Sequence, residues 1–179
     1  PVLSQDRRWL ASVRDRDLWL ARTDGSALQQ VTTYNKKGSK TGAEVLIGGF
    51  SPDGTRLLFH VDEIHCLDDC PPLAKGVKAG FELLELATMK RTPLPKVEGF
   101  EAFAPDGKSV LHNKYLAASN YELRSYSLID GSSRVVRTSK DPYGFSQLAV
   151  EGDRLAIVEQ GTVMMGPVEG TAWTPLTPK

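Results

Sequence analysis

Apolar positions along this chain come in short runs punctuated by Gly, Pro, Asp and Ser, and nowhere do they hold the spacing of about 3.6 residues that marks an amphipathic helix. One phrase recurs. Ser51-Pro52-Asp53-Gly54-Thr55-Arg56-Leu57-Leu58-Phe59 returns as Ala104-Pro105-Asp106-Gly107-Lys108-Ser109-Val110-Leu111-His112, and more faintly over residues 4–12 and 149–157. Each copy reads as a turn followed by an apolar strand. Pro presets φ, Asp hydrogen-bonds its own backbone neighbours, and Gly accepts positive φ. The turn positions 4, 51, 104 and 149 lie 47, 53 and 45 residues apart, a period that fits four-stranded propeller blades.

Each repeat can be walked strand by strand. In the second, residues 45–50 and 56–61 flank the Pro-Asp-Gly turn, 81–86 form a third strand after a long connection, and a short turn at Thr88-Met89-Lys90 leads to a fourth ending near Leu94. The first repeat offers residues 9–13 and 17–22, a turn at Asp24-Gly25 and a strand closing at Val31-Thr32. The third gives 110–113, 122–128, a turn at Asp130-Gly131 and Val135-Val136; the fourth gives 155–158, 162–165, a turn at Glu169-Gly170 and 175–177. The pattern predicts an all-β chain of about four four-stranded antiparallel blades in one domain over 1–179, with approximate repeats 1–34, 45–95, 100–138 and 145–177.

The Ser-Pro-Asp-Gly turn, the strand that follows it, the Asp17-Leu18-Trp19 type of third strand and the later Asp-Gly turn resemble the WD-like Pro-Asp repeats of TolB-like β-propellers. The likeness covers nearly the whole chain, strongly in repeats two and three and weakly in one and four, where Asp6-Arg7 and Glu151-Gly152 stand for Asp-Gly. It implies a propeller, bacterial and in the cell envelope, hence periplasmic or extracellular. It implies no reaction, because propellers of this group serve as binding scaffolds, as sensor domains and as the propellers of prolyl-oligopeptidase-like serine peptidases. With so few blades, three forms are expected: a small closed ring, part of a larger ring, or a half-ring completed as a homodimer. The chain opens on Pro1 without an initiating Met, so upstream residues are expected to have been removed.

Composition narrows the function. Basic and acidic residues balance at 22 each over 179 residues, which lacks the basic footprint of a nucleic-acid binder. No apolar run is long enough to insert in a membrane as a helix. The chain contains no Gly-x-Ser-x-Gly elbow, no His-Glu-x-x-His pair and no phosphate-cradling Gly-rich loop, so no cofactor and no catalytic residue is expected. His60 and His112 fall near the ends of second strands and read as packed strand residues.

Loop length points to the working face. In a four-stranded meander the second-to-third connections and the blade-to-blade links share one rim. From turn anchor to third strand the count is 14 in repeat one (Ser4 to Leu18), 32 in two (Ser51 to Leu83), 19 in three (Ala104 to Leu123) and 14 in four (Ala149 to Val163). The link from Thr32 to Ser51 is 19 residues against 11 from Thr138 to Ala149. Both expansions fall on one rim, where recognition by repeat proteins tends to lie. They carry opposite charge: Tyr34, Lys36, Lys37 and Lys40 in one, and Asp62, Glu63, His65, Asp68 and Asp69 in the other. Tyr115 and Tyr143 add amphipathic rings to the same rim, as protein interfaces favour. These are the candidate residues for binding a protein or peptide; the plainer alternative is that the charges only solvate the loops.

Cys66 and Cys70 are the only cysteines. In an oxidising compartment they are expected to close a disulfide across the loop, and in a reducing one to stay thiols. Their spacing is not that of a zinc site, and the segment lacks the Gly bend of a calcium loop, so no metal is expected.

Overall fold

The computed structural model describes residues 1–35, 42–64, 71–116, 120–140, 146–151, 154–168 and 172–176. Among the described residues it is all-β, of β-propeller type, with sixteen strands in four four-stranded antiparallel sheets. Contacts group the chain into two compact units, Pro1–Pro95 and Lys96–Lys179, each holding two sheets.

In the first unit one sheet runs β1 (Val2–Leu3), β2 (Trp9–Arg14), β3 (Asp17–Arg22) and β4 (Leu28–Gln30), in that spatial order. The other runs β5 (Glu44–Phe50), β6 (Arg56–Asp62), β7 (Gly80–Glu85) and β8 (Arg91–Leu94). The second unit holds β9 (Gly99–Phe103), β10 (Ser109–Leu116), β11 (Asn120–Ser127) and β12 (Ser133–Ser139), and then β13 (Ser146–Glu151), β14 (Arg154–Glu159), β15 (Thr162–Pro167) and β16 (Thr174–Pro175).

The recurring phrase folds as its chemistry dictates. Ser51 Oγ donates to Asp53 Oδ1 (2.5 Å) and accepts from the Arg56 amide (3.0 Å), while the Gly54 amide donates to the Ser51 carbonyl (2.8 Å) at φ 67°. The first repeat repeats this with Ser4 Oγ, which donates to Asp6 (2.7 Å) and accepts from the Trp9 amide (2.9 Å); Arg7 takes the glycine's place at φ 58°. Ala104 has no hydroxyl, yet the third turn closes on backbone bonds, Gly107 N–H to Ala104 O and Ala104 N–H to Ser109 O, both 2.9 Å. The fourth repeat departs from expectation: Ala149 lies inside β13, opposite Ala156, and pairing continues to Glu151 and Arg154, so the anchor position is strand, not turn. In the third repeat the extra residues lengthen the hairpin rather than loosen a loop. β10 and β11 pair from Ser109–Ser127 out to Leu116–Asn120. In the first, β4 stops at Gln30, and Thr32 turns its hydroxyl to accept from the Leu18 amide (2.9 Å).

Inner strands are buried on both faces, as Leu57, Leu58 and Phe59, consecutive and fully inaccessible, show. The core of the first unit joins Ala11, Leu18 and Leu20 of one sheet to Val45, Leu57, Phe59 and Leu84 of the other. That of the second joins Leu111 and Leu123 to Leu155 and Ile157. Each buried leucine contributes about 1.5–3 kcal/mol relative to exposure. Trp9 and Trp173 lie at the margins of these cores, under the guanidinium groups of Arg22 (4.8 Å) and Arg137 (5.2 Å).

Candidate binding surface at the long-connection ends

Antiparallel order sends the connections of the first unit to two ends of its sheets. Turns 4–8, 23–27, 51–55 and 86–90 lie at one; 15–16, 31–35 with 42–43, and 63–64 with 71–79 lie at the other. At the second end Asp15 (φ 52°) and Arg16 (φ 65°) make a two-residue hairpin, so β3 begins at once with Asp17.

Asp17 is 2% exposed, and its carboxylate organises the link that follows β4. Oδ1 accepts from Thr32 Oγ1 (2.7 Å) and the Tyr34 amide (2.9 Å), and Oδ2 from the Asn35 amide (3.2 Å) and Gln30 Nε2 (3.4 Å). Asn35 then closes the loop at its base: Oδ1 accepts from the Ala43 amide (3.0 Å) and Nδ2 donates to the Arg16 carbonyl (3.2 Å). Residues 36–41, with Lys36, Lys37 and Lys40, lie outside the described residues.

The second long connection shares that foot. The Gly42 amide donates to the Pro72 carbonyl (3.1 Å), and a Cβ on Gly42 would fall 2.5 Å from Ile64 Cδ1. A larger residue at this position would make the Ile64 side chain shift. The described ends of the two connections therefore meet, with Asp62 at the end of β6 and the exposed Glu63 entering the second. Asp62 Oδ1 accepts from the Glu63 amide (2.8 Å). His65, Cys66, Asp68, Asp69 and Cys70 lie outside the described residues.

Tyr34 sits beneath this surface rather than on it. It packs on the core, and its hydroxyl meets both Glu82 Oε1 (3.5 Å) and Arg91 Nη2. Arg91 forks onto Glu82 with bonds of 2.7 and 2.9 Å and lies 5.3 Å over the Tyr34 ring and 5.6 Å over Phe59. Burial, then the Glu82 charge, raises the phenol's pKa; the hydrogen bond to Glu82 raises that of the guanidinium. The phenol is neutral and spent internally. Nearby, His60 stacks on Phe81 (4.4 Å, 21°), and burial lowers its pKa.

In the second unit the long-connection end carries Tyr115, 59% exposed at the tip of β10, with its ring 5.2 Å from that of its cross-strand partner Tyr121. Tyr121 packs on the core, which leaves Tyr115 as the projecting ring. Tyr143 lies outside the described residues. Among the described residues no group of three or more His, Cys, Asp or Glu is arranged to hold a metal ion, and no helix is long and apolar enough to cross a membrane.

Two contributors to this end were not singled out in the sequence. Asp17 and the Glu82–Arg91 pair share a signal, an acid before the anchor leucine of the third strand: Asp17-Leu18, Glu82-Leu83 and Glu122-Leu123. In each case that acid holds a polar partner, Glu122 bonding Arg124.

No family model matches the chain, and no curated protein sequence matches it. Solved structures do. TolB from Acinetobacter baumannii aligns over 99% of this chain and 43% of its own, with TM-score 0.63 and 17% identity. Porphyromonas gingivalis dipeptidyl peptidase 4 aligns over 100% of this chain and 32% of its own (TM-score 0.67, 14% identity). Oligogalacturonate lyase from Vibrio parahaemolyticus aligns over 97% and 50% (TM-score 0.63, 11% identity). At these identities the likeness is one of fold. The chain spans half or less of the length of each of these structures.

Proposed function

We propose that the chain is a non-catalytic recognition module that binds a protein or peptide at the ends of its blades where the long connections emerge. The observation that supports this best is the joined foot of residues 31–43 and 63–79, held by Asp17, Asn35 and the Gly42–Pro72 bond. Loops of opposite charge tied at their base lose less entropy on binding than free ones. In this reading Lys36, Lys37, Lys40, Asp62, Glu63, His65, Asp68 and Asp69 make the polar contacts, Tyr115 and Tyr143 serve as aromatic anchors, and Tyr34 supports the basic loop from below. A Cys66–Cys70 disulfide stiffens the acidic loop, consistent with a periplasmic or extracellular setting. The fold likeness to TolB supports the envelope assignment.

The test is a peptide display selection on the wild-type protein, followed by affinity measurement on a Lys36→Ala, Lys37→Ala, Lys40→Ala variant. Binding at least about tenfold weaker with unchanged melting temperature is expected; equal affinity overturns the reading.

A second reading makes the chain the propeller part of a larger enzyme. It rests on the likeness to dipeptidyl peptidase 4, of which this chain covers 32%. A Gly-x-Ser-x-Gly hydrolase region encoded in frame beside these residues would favour it over the first.

A further inference from the structure

Within the first unit, one face of the first sheet meets one face of the second. Ala11 and Leu20, paired in the register, are 0% and 1% exposed there, in one core with Leu57, Phe59 and Leu84. Strand residues alternate between faces, so Leu10, Ser12, Trp19 and Ala21 turn the other way, with Leu3 beside Leu10. Counted from the turn serine, Leu10 stands where Leu57 stands in the second sheet, and across the hairpin Ala21 matches Leu84. Leu57 and Leu84 are fully buried. Leu10, Trp19 and Ala21 are only half-buried, and Leu3 is 48% exposed. The first sheet thus leaves open the face that the second sheet buries.

The last sheet leaves open the complementary face. Leu155 and Ile157 point into the core of the second unit and are fully buried, so Ala156, Val158 and Met165 turn away from it. Counted from positions 4 and 149, Ala156 stands where Ala11 stands, and it pairs with Met165 as Ala11 pairs with Leu20. Ala11 and Leu20 are buried under a neighbouring sheet, whereas Ala156 and Met165 are half-buried. Size matters here as well. In the first unit the small Ala11 shares its core with the Phe59 ring. Ala156 keeps that small side chain, and Trp19 pairs with Ser12, which holds the place of Phe59, so the first sheet offers a ring of matching bulk.

We infer that the last sheet of one copy receives the first sheet of a second copy, face to face, and that two copies close on each other through two such contacts. Among the described residues, the open face that fits the Ala156 and Met165 pattern is the first sheet's own, which makes the occupant a second copy of this chain. Area selects closure over an open head-to-tail chain. Strands of two to six residues, at about 4.8 Å spacing and about 3.3 Å per residue, make each face about 300 Å². One contact then buries about 600 Å² over both partners, and two bury about 1,200 Å², where stable interfaces begin. The closed pair holds eight blades, within the range of about four to eight that propellers use. Trp19 is the anchor of each contact, as large rings at the centre of an interface tend to be, and Met165 lies against it as a pliable partner.

Sedimentation velocity on the whole chain tests this. The expected species has twice the mass of 19.6 kDa, forms with rising concentration and grows no larger. Trp19→Glu with Leu3→Asp blocks the first face, and Met165→Lys blocks the last. Each should weaken the dimer at least about tenfold with an unchanged circular dichroism spectrum. Trp19→Glu is suited to this because the second sheet carries Glu82 at the matching place. Ile129→Asp, on a turn outside both faces and 76% exposed, should change nothing. If Met165→Lys does not fold, Thr174→Lys, exposed on β16 opposite Met165, takes its place. A monomer at every concentration up to about millimolar overturns the inference and assigns the two faces to sheets of another chain. A dimer that survives the last-face variant is an isologous pair of first faces and overturns it too. Masses that climb beyond two copies overturn the closure.

Discussion

Asp17 shows how a single buried acid can shape a surface it does not reach. Its carboxylate satisfies two backbone N–H groups and a hydroxyl within 3.2 Å, so truncation would strand the Tyr34 and Asn35 amides in a part-buried place. Asp17→Ala should cost about 2–4 kcal/mol in urea unfolding, since hydrogen bonds to a charged group contribute about 1.5–3 kcal/mol each and orphaned donors add to the loss. A change below about 0.5 kcal/mol, the range of ordinary surface substitutions, would mean that water replaces the carboxylate. Gly54 is constrained twice, by its φ of 67° and by Asp6, whose carboxyl carbon would lie 3.2 Å from an added Cβ. Gly54→Ala should therefore destabilise by about 1–2 kcal/mol, whereas Gly25→Ala, with open space around it, should cost only the backbone part. Titration follows from the two packed imidazoles. Burial lowers the pKa of His60 and His112 below the ordinary value of about 6.5, so the unfolded chain binds more protons than the folded one as pH falls past that point. Stability should fall from about pH 7 to about pH 5, and a His60→Gln, His112→Gln protein should show a shallower slope; an unchanged slope would assign the loss to other groups.

Strands and turns were legible in the sequence wherever the chemistry is local. Ser51, Asp53 and Gly54 close their turn with bonds no more than five residues long, and the same letters identify the third copy even where Ala104 has dropped the hydroxyl. Legibility ends where partners are distant. Asp17 acts on amides up to eighteen residues away; the acid before the anchor leucine marks the position, but not the amides it reaches. The β10–β11 hairpin reads as a loop because residues 113–122 contain neither Gly nor Pro to mark its tip, and pairing then runs on to Leu116–Asn120. The sheets also predict where substitutions matter. Leu84→Ala, fully buried on β7, should cost about 2–5 kcal/mol, and Leu28→Thr, 69% exposed on the outer strand β4, should stay within about 0.5 kcal/mol. Comparable losses at both would contradict the assignment of inner and outer strands.

Taken whole, the chain holds four blades in two compact units and covers between 32% and 50% of the three solved structures compared with it. Association with a second copy is one proposed route to a larger propeller, and light scattering decides it: a mass near 19.6 kDa excludes that route, and twice that mass supports it. Recognition at the long-connection ends requires, before any partner is known, that residues 31–43 and 63–79 stand on one base in the first unit. Nuclear Overhauser spectroscopy between the Gly42 α-protons and the Ile64 δ-methyl, read with the hydrogen-exchange rate of the Gly42 amide, reports on that base. A strong cross-peak and a protected amide are expected from the Gly42–Ile64 approach and the Gly42–Pro72 hydrogen bond. A freely exchanging Gly42 with no cross-peak to Ile64 would show that the two connections rise separately, and the proposed surface would not exist.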